Sequence, residues 1–231
     1  LDVFPAAGGR GPAPVLFFIH GGYWRSLDKA DHSFVAPCFT REGICVVVPN
    51  YTLCPAIGID GIALEMVQAL AWTAANIGSF GGDPRRIVVA GHSAGGHLAA
   101  MLMACRWQVV DPRLPDDLVR GALSISGLFD LRPLQHTPFL QSDLRLDEAT
   151  ARRCSPALMP RPARGRVLAV VGGDESAEFL RQNALIRASW GARRVPVCES
   201  LPGLNHFSVL EALTDPSHRL HQLALGLLRS A

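Results

Sequence analysis

The sequence lacks the features of nucleic-acid-binding and membrane-bound proteins. Lys29 is its only lysine, and 22 basic residues against 20 acidic ones leave a net charge of +2. No run of Lys or Arg forms a basic stripe, so neither nucleic acid nor an anionic membrane surface is an expected partner. The longest apolar runs, Val15–Ile19 and Leu98–Cys105, are too short to span a bilayer. We therefore expect a protein without a membrane partner.

Paired cysteines and recognised metal or nucleotide motifs are also missing. The six cysteines never occur as C-x-x-C, and in a chain with this much apolar core we expect buried, reduced thiols and a cytoplasmic location; they are Cys38, Cys45, Cys54, Cys105, Cys154 and Cys198. There is no H-E-x-x-H, no G-x-x-x-x-G-K-[ST] and no G-x-G-x-x-G. The sequence therefore predicts neither a metal site nor a cofactor.

What the sequence does contain is a regular alternation of apolar runs with helical patterns. With 231 residues, 48% of them hydrophobic, it predicts one domain over residues 1–231. The apolar runs are continuous, as in strands buried on both faces of a parallel sheet; they cover 15–19, 44–48, 87–90, 122–125, 167–171 and 195–198, with a further strand at 1–4. Helical patterns lie between them at 29–40, 62–77, 94–105, 176–190 and near 220–228. This order predicts an α/β fold with a mostly parallel, doubly wound sheet and helices on both faces.

The segment from about 128 to 164 differs from the rest. It carries five prolines among polar residues, with a helix expected at Asp147–Arg153. We interpret it as an insertion at the carboxyl edge of the sheet that forms part of a pocket wall.

The sharpest motif is Gly91-His92-Ser93-Ala94-Gly95, between a predicted strand and a predicted helix. A G-x-S-x-G sequence in that setting is typical of a nucleophile elbow, in which a strained turn projects the serine hydroxyl above the sheet. We therefore predict that Ser93 is a nucleophile.

A second motif, His20-Gly21-Gly22-Tyr23-Trp24, follows the strand at 15–19. Acyl transfer requires N–H donors aimed at the oxygen on which charge develops. We expect the N–H groups of Gly21, Gly22 and Ala94 to form this oxyanion hole. Tyr23 and Trp24 are candidates for the pocket lining, although core packing is an equal alternative for Trp24.

A serine nucleophile needs a base and an acid that orients it, in the chain order Ser, acid, His. His206 is the favoured base because its loop follows a strand at the carboxyl edge, whereas His136, His218 and His221 lie in the insertion or the terminal helix. Asp174 is the favoured acid because it directly follows the strand at 167–171. Asp130 and Glu175 remain the alternatives.

With these residues in place the chain resembles the arylformamidase (kynurenine formamidase) and carboxylesterase branch of the α/β-hydrolases. The resemblance rests on the His-Gly-Gly-x-Trp form of the first motif and on the segments 126–134, 154–156 and 174–179. It implies an α/β-hydrolase fold, with Ser93, Asp174 and His206 as the triad and Gly21 and Gly22 as the oxyanion hole. At the acid, family members often have the segment Asp-Ser-Pro-Glu-Phe. The corresponding segment of this chain, 174–179, is one residue longer.

These observations predict a serine hydrolase that cleaves small carboxylic esters or formamides through an acyl-enzyme. One alternative is the hydrolysis of N-formylkynurenine in tryptophan breakdown. Another is a ligand-binding protein that has kept the fold and lost catalysis. The expected partner is a small molecule, and the sequence leaves a homodimer open.

Overall fold

A computed structural model describes residues 1–8 and 11–231. Its sheet has the strand order β1-β3-β2-β4-β5-β6-β7. The strands are β1 (Asp2–Phe4), β2 (Ala13–Ile19), β3 (Cys45–Val48), β4 (Gly82–His92), β5 (Val119–Ile125), β6 (Arg166–Gly172) and β7 (Val197–Leu201). All neighbouring pairs are parallel except β1 with β3, which is antiparallel. The predicted mostly parallel, doubly wound sheet is confirmed.

The helices alternate with the strands. They are α1 (Ala36–Thr40), α2 (Ile59–Asn76), α3 (Ala94–Ala104), α4 (Trp107–Val110), α5 (Pro138–Leu144), α6 (Glu148–Arg153), α7 (Ala177–Trp190), α8 (Ser208–Thr214) and α9 (Arg219–Arg229). Short 3₁₀ segments cover Lys29–Val35, Ile77–Phe80, Arg132–His136 and Pro156–Leu158. In the described part of the chain, no helix combines the length and the apolar character needed to cross a membrane.

The apolar strands form a core on each face of the sheet, because successive side chains of a strand point to opposite faces. Phe17 packs into the core on the side of α2, α3 and α7, whereas its neighbours Leu16 and Phe18 pack into the core on the side of α1, α8 and α9. This two-sided burial explains why the central strands are apolar without interruption.

Two local predictions need adjustment. The strand predicted at 195–198 lies at Val197–Leu201, and this strand at the edge of the sheet is only partly buried, so a purely apolar run does not mark it. In the insertion, the helix predicted at Asp147–Arg153 forms at Glu148–Arg153, where the Asp147 carboxylate accepts a hydrogen bond from the Thr150 N–H. The structure adds the helix Pro138–Leu144, whose first residue suits a helix start because proline needs no N–H partner there.

Candidate active site

Ser93 lies at the turn between the end of β4 and the start of α3. Its backbone adopts φ 57° and ψ −117°, a conformation that is strained for a residue with a side chain. The turn is anchored on both sides: the Ser93 N–H donates to the Ile125 carbonyl at 2.8 Å, and the Ser93 carbonyl accepts from the His97 N–H at 3.1 Å. The G-x-S-x-G motif therefore forms the strained strand-to-helix turn that the sequence predicts.

The glycines of the motif are required by close backbone packing. A Cβ atom on Gly91 would lie 2.2 Å from the Gly95 carbonyl oxygen, and one on Gly95 would lie 2.0 Å from the Ile19 carbonyl oxygen. Real Cβ atoms do not approach backbone oxygens so closely. Any larger residue would force β2, β4 and α3 apart and displace Ser93.

The side chain of His206 reaches Ser93 from the loop between β7 and α8. Its Nε2 atom lies 3.1 Å from Ser93 Oγ, and its Nδ1 atom lies 2.6 Å from an Oε atom of Glu175. An ionised carboxylate can only accept, so Nδ1 carries the proton and Nε2 is free to accept from the serine hydroxyl. The structure thus links Ser93, His206 and Glu175 in one hydrogen-bonded chain.

The carboxylate against His206 belongs to Glu175, so the placement that the sequence favoured for Asp174 is wrong. The Asp174 N–H donates to the Leu204 carbonyl at 3.0 Å, and its side chain is exposed. The turn after β6 thus points Asp174 to solvent and folds the longer Glu175 side chain back toward the sheet. The other alternative, Asp130, is engaged at 2.8 and 2.9 Å by the Arg132 guanidinium instead.

The side chain of Glu175 is fully buried, which makes its environment decisive. Burial raises the pKa of this carboxyl, but hydrogen bonds from His206, Ser126 and the Gly172 N–H together outweigh burial and hold the pKa below its usual value. Ser126 Oγ lies 2.5 Å and the Gly172 nitrogen 2.8 Å from the same carboxylate oxygen, Oε1. Glu175 is therefore ionised near neutral pH and can stabilise a protonated His206.

His92, inside the G-x-S-x-G motif, makes a contact that the sequence did not suggest. Its Nε2 atom lies 2.7 Å from the His206 carbonyl oxygen, and the two rings lie 4.6 Å apart. Burial, together with the neighbouring His206, lowers the pKa of His92 to about 3, so the ring is neutral and its Nε2–H donates. The residue before Ser93 thus holds the loop that carries His206.

Gly21 lies beside Ser93, and Gly22 follows it in the loop that the sequence predicts to form an oxyanion hole. A Cβ atom on Gly21 would lie 3.2 Å from the Ser93 Cβ, and Gly22 has φ 104°, which favours glycine. Within residues 1–8 and 11–231, the N–H groups of these two glycines donate to no other protein group. With Ala94 at the start of α3, they remain available to a ligand oxygen.

Tyr23 and Trp24 take different positions in this loop. Tyr23 is half-buried, and its ring meets Phe139 of α5 edge-on at 6.3 Å. Burial raises the pKa of Tyr23; the charge of Arg25 opposes this shift and the charge of Glu175 adds to it. Trp24 is fully buried and packs edge-on against His97 at 5.0 Å. Of the two alternatives for Trp24, the structure places the ring in the core and not in the pocket lining.

The insertion approaches the rim of this site through α5. Arg25, next to the glycine loop, contacts Asp143 at 2.6 Å and the Phe139 carbonyl at 2.8 Å. Aromatic rings also flank the base: Phe179 lies 4.4 Å from the His206 ring, and Phe207 is largely exposed beside it. The surroundings of Ser93 are therefore partly aromatic.

One cavity among the described residues lies apart from this site. A cavity of about 650 Å³ lies at the opposite end of α3, where Met103, Trp107 and Arg161 line it, and it does not include Ser93. Among residues 1–8 and 11–231 there is also no group of three or more His, Cys, Asp or Glu side chains placed to hold a metal ion.

Comparisons with known proteins agree with this geometry. The BD-FAE family model matches residues 1–117. The kynurenine formamidase of Salmo salar is 28% identical over 237 residues, covering 99% of this chain and 77% of that protein. The esterase LipC of Mycobacterium tuberculosis is 29% identical over 244 residues, covering 94% of this chain and 58% of that protein.

A solved structure shares the same fold. A protein from Silicibacter sp., described as a "putative thioesterase", superposes with a TM-score of 0.82 at 33% identity, covering 95% of this chain and 78% of the other. The predicted resemblance is confirmed, since the family model spans more than half of the 231 residues. The chain belongs to the BD-FAE family and is a hydrolase of the arylformamidase and carboxylesterase group with an α/β-hydrolase fold.

Proposed function

We propose that this enzyme hydrolyses small carboxylic esters or formamides, with Ser93 as nucleophile, His206 as general base and Glu175 as the acid that orients it. The observation that carries the proposal is the continuous chain of contacts, 3.1 Å from Ser93 Oγ to His206 Nε2 and 2.6 Å from His206 Nδ1 to Glu175. Such a chain activates a hydroxyl that is a weak nucleophile by itself.

In the first half of the reaction, Ser93 Oγ forms a bond to the substrate carbonyl carbon and its proton passes to His206 Nε2. The carbonyl oxygen becomes negatively charged and accepts hydrogen bonds from the N–H groups of Gly21, Gly22 and Ala94. His206 then gives the proton to the departing alcohol or amine as its bond to the carbonyl carbon breaks. An acyl- or formyl-serine remains.

In the second half, water attacks the acyl carbon while His206 takes a proton from it. The bond between the acyl carbon and Ser93 Oγ breaks, and the serine recovers its proton from His206. The carboxylic acid leaves. Throughout the cycle Glu175 stays ionised and stabilises the imidazolium in each half-reaction.

The surroundings of Ser93 support an apolar or aromatic substrate group. Phe179 and Phe207 lie against the His206 ring, and Tyr23, next to the glycine loop, meets Phe139 of α5. The contacts of Arg25 also tie α5 to the glycine loop. We propose that segment 128–164 forms part of the pocket wall through these contacts. Aromatic side chains stack favourably on aromatic leaving groups.

Hydrolysis of N-formylkynurenine is a more specific candidate. It is favoured by the match to kynurenine formamidase over 99% of the chain. Equal concentrations of p-nitrophenyl acetate and N-formylkynurenine, assayed side by side, separate it from general ester hydrolysis. A formamide rate equal to the rate without enzyme removes this candidate and leaves the esterase.

The cytoplasm is our proposed compartment for this enzyme. All six cysteines are free thiols, and burial raises the pKa of Cys38, Cys45, Cys54 and Cys105 to about 11 and of Cys154 to about 12. Buried thiols of this kind suit a reducing environment.

The basic test is labelling with a fluorophosphonate, which reacts with activated serines. We expect the wild-type protein to be labelled once per chain, and Ser93→Ala to be unlabelled and to lose all measurable hydrolysis. Ser208→Ala, which alters the first residue of α8, whose hydroxyl oxygen accepts a hydrogen bond from the Asn205 N–H, is the control that stays labelled. A wild-type protein that is folded but unlabelled would instead support a binding protein without catalysis.

A further inference from the structure

Tyr51 lies behind the glycine loop, on the side away from the nucleophile. It follows β3, which neighbours β2 on one side, while β4 and Ser93 lie on the other. The Tyr51 hydroxyl is 3.1 Å from the His20 carbonyl oxygen and 3.0 Å from the Gly21 carbonyl oxygen. The single hydroxyl proton of Tyr51 is thus directed at two consecutive carbonyls.

These two carbonyls belong to the peptide units that carry the proposed oxyanion donors. In a trans peptide the C=O and the N–H of the next residue point in opposite directions, because the unit is planar. Fixing the His20 oxygen toward Tyr51 therefore turns the Gly21 N–H away from Tyr51, and fixing the Gly21 oxygen does the same for the Gly22 N–H. Both N–H groups then face the Ser93 side.

Glycine makes this support necessary. Two consecutive glycines have no Cβ atoms to restrict rotation of the peptide units, so the sequence alone does not hold the donors in one orientation. Preorganised donors are the ones that contribute to catalysis, since no energy is then spent on turning them during the reaction. A group that contacts both carbonyls therefore restricts the rotation of both peptide units.

Tyr51 is itself held rigidly in place. It is 6% exposed, and its ring stacks on the His20 ring at 4.2 Å with an interplanar angle of 9°. His20 lies 2.8 Å from the Gly21 oxygen through Nδ1 and 3.1 Å from Asn50 Oδ1 through Nε2. Burial raises the pKa of Tyr51, so its hydroxyl stays protonated and able to donate.

We infer that Tyr51 is a positioning residue for the oxyanion hole, whose one hydroxyl orients the peptide units that present the Gly21 and Gly22 N–H groups to the substrate oxygen. This inference rests on the proposed function of the site. It gives Tyr51 a role in kcat, because the charge on the oxygen develops in the transition state and not in the bound substrate.

Tyr51→Phe tests the inference, since it removes the hydroxyl and keeps the stacked ring. We expect kcat to fall roughly 10- to 100-fold, below the 100- to 1,000-fold typical of deleting a donor outright, because the N–H groups remain but are no longer held. KM should change by less than about twofold if only transition-state binding is lost. Rates are expressed per site titrated with fluorophosphonate, so that unfolded protein does not contribute.

The matched control is Thr73→Val at the far end of α2. It also removes a buried hydroxyl that donates to a carbonyl, Ala69 at 2.8 Å, but lies away from the site. Both variants lose one buried hydrogen bond and should show similar small decreases in melting temperature. Only Tyr51→Phe should lose kcat.

A second readout uses a trifluoromethyl ketone, which adds to the serine and leaves a negatively charged oxygen in the oxyanion hole. Its affinity should fall in Tyr51→Phe by the same factor as kcat/KM and stay unchanged in Thr73→Val. An unchanged kcat, an equal loss in both variants, or a loss confined to KM would each overturn the inference. Absence of fluorophosphonate labelling in the wild-type protein is a separate result, and it would count against the proposed function.

Discussion

The two sides of Ser93 are built from different kinds of group. On one side the glycine loop offers neutral backbone N–H groups, backed by the Tyr51 hydroxyl. On the other side lie an ionised, fully buried Glu175 and the imidazole of His206. The difference follows the chemistry: a fixed charge is needed where a proton is transferred, and oriented dipoles are sufficient where charge appears only briefly.

The comparison also predicts that the two sides respond differently to substitution and to pH. The glycine side depends on the orientation of peptide units, so it is sensitive to backbone shape and insensitive to titration. The acid–base side depends on one carboxylate, whose low pKa is maintained by His206, Ser126 and the Gly172 N–H against the effect of burial. If Glu175 loses that charge, we expect His206 to lose its orientation and the stabilisation of its protonated form.

The largest expected effect concerns the choice between two adjacent acids. Glu175→Gln keeps the size of the side chain but removes the charge that fixes the His206 tautomer, so kcat should fall by about 10⁴-fold, as for the equivalent change in other triads. Asp174→Asn is the matched control and should stay within about twofold of wild type, because solvent screens an exposed carboxylate. Steady-state kinetics on one ester give kcat for both variants and show which acid orients His206. If Asp174→Asn were the damaging variant, Asp174 and not Glu175 would be the acid that orients His206.

A smaller effect is expected where the elbow holds the base. His92→Leu removes the Nε2–H donated to the His206 carbonyl, and we expect kcat to fall roughly 10-fold because the imidazole is less well positioned. His92→Gln, which retains an N–H donor of similar reach, should recover part of the loss. Equal activities of the two variants would show that the hydrogen bond does not position His206.

The last effect is on stability in acid and not on activity at neutral pH, and it concerns the neutral histidines around the elbow. Burial lowers the pKa of His97 to about 4, and that of His92 to about 3. Both are neutral in the folded protein, whereas the unfolded chain takes up protons below about pH 6.5. Stability should therefore fall as the pH drops from 6.5 toward 4, by about 2 kcal/mol for each histidine at pH 4.5.

Urea unfolding at pH 7 and pH 4.5 measures this loss. His97→Gln, whose amide N–H can still donate to the Cys154 carbonyl that His97 Nε2 contacts at 2.7 Å, should reduce the difference between the two pH values by about 2 kcal/mol. The same pH dependence in the variant and the wild-type protein would mean that His97 titrates in the folded state much as it does in the unfolded chain.

The sequence by itself determined the alternation of strands and helices and the position of the elbow. Continuous apolar runs such as Val15–Ile19 are buried only when helices cover both faces of the sheet. A glycine on each side of the serine is needed because the backbone segments at the elbow pack too closely for a Cβ atom. These are local constraints, so the residues that meet them carry a local signal. His206 could also be predicted from the sequence, because its loop follows a strand at the edge where Ser93 lies.

The tertiary structure alone decided which acid meets His206 and what supports the site. Asp174 and Glu175 are neighbours with the same charge, and the turn in which the Asp174 N–H donates to Leu204 leaves the first exposed, while the Glu175 carboxylate meets Ser126, Gly172 and His206. Trp24 became a core residue, while Tyr51, His92 and Ser126 gained roles through partners between 30 and 114 positions away in the chain. Side-chain direction in a turn, and contacts between distant loops, depend on how the strands are stacked, and no pattern of neighbouring residues contains that information.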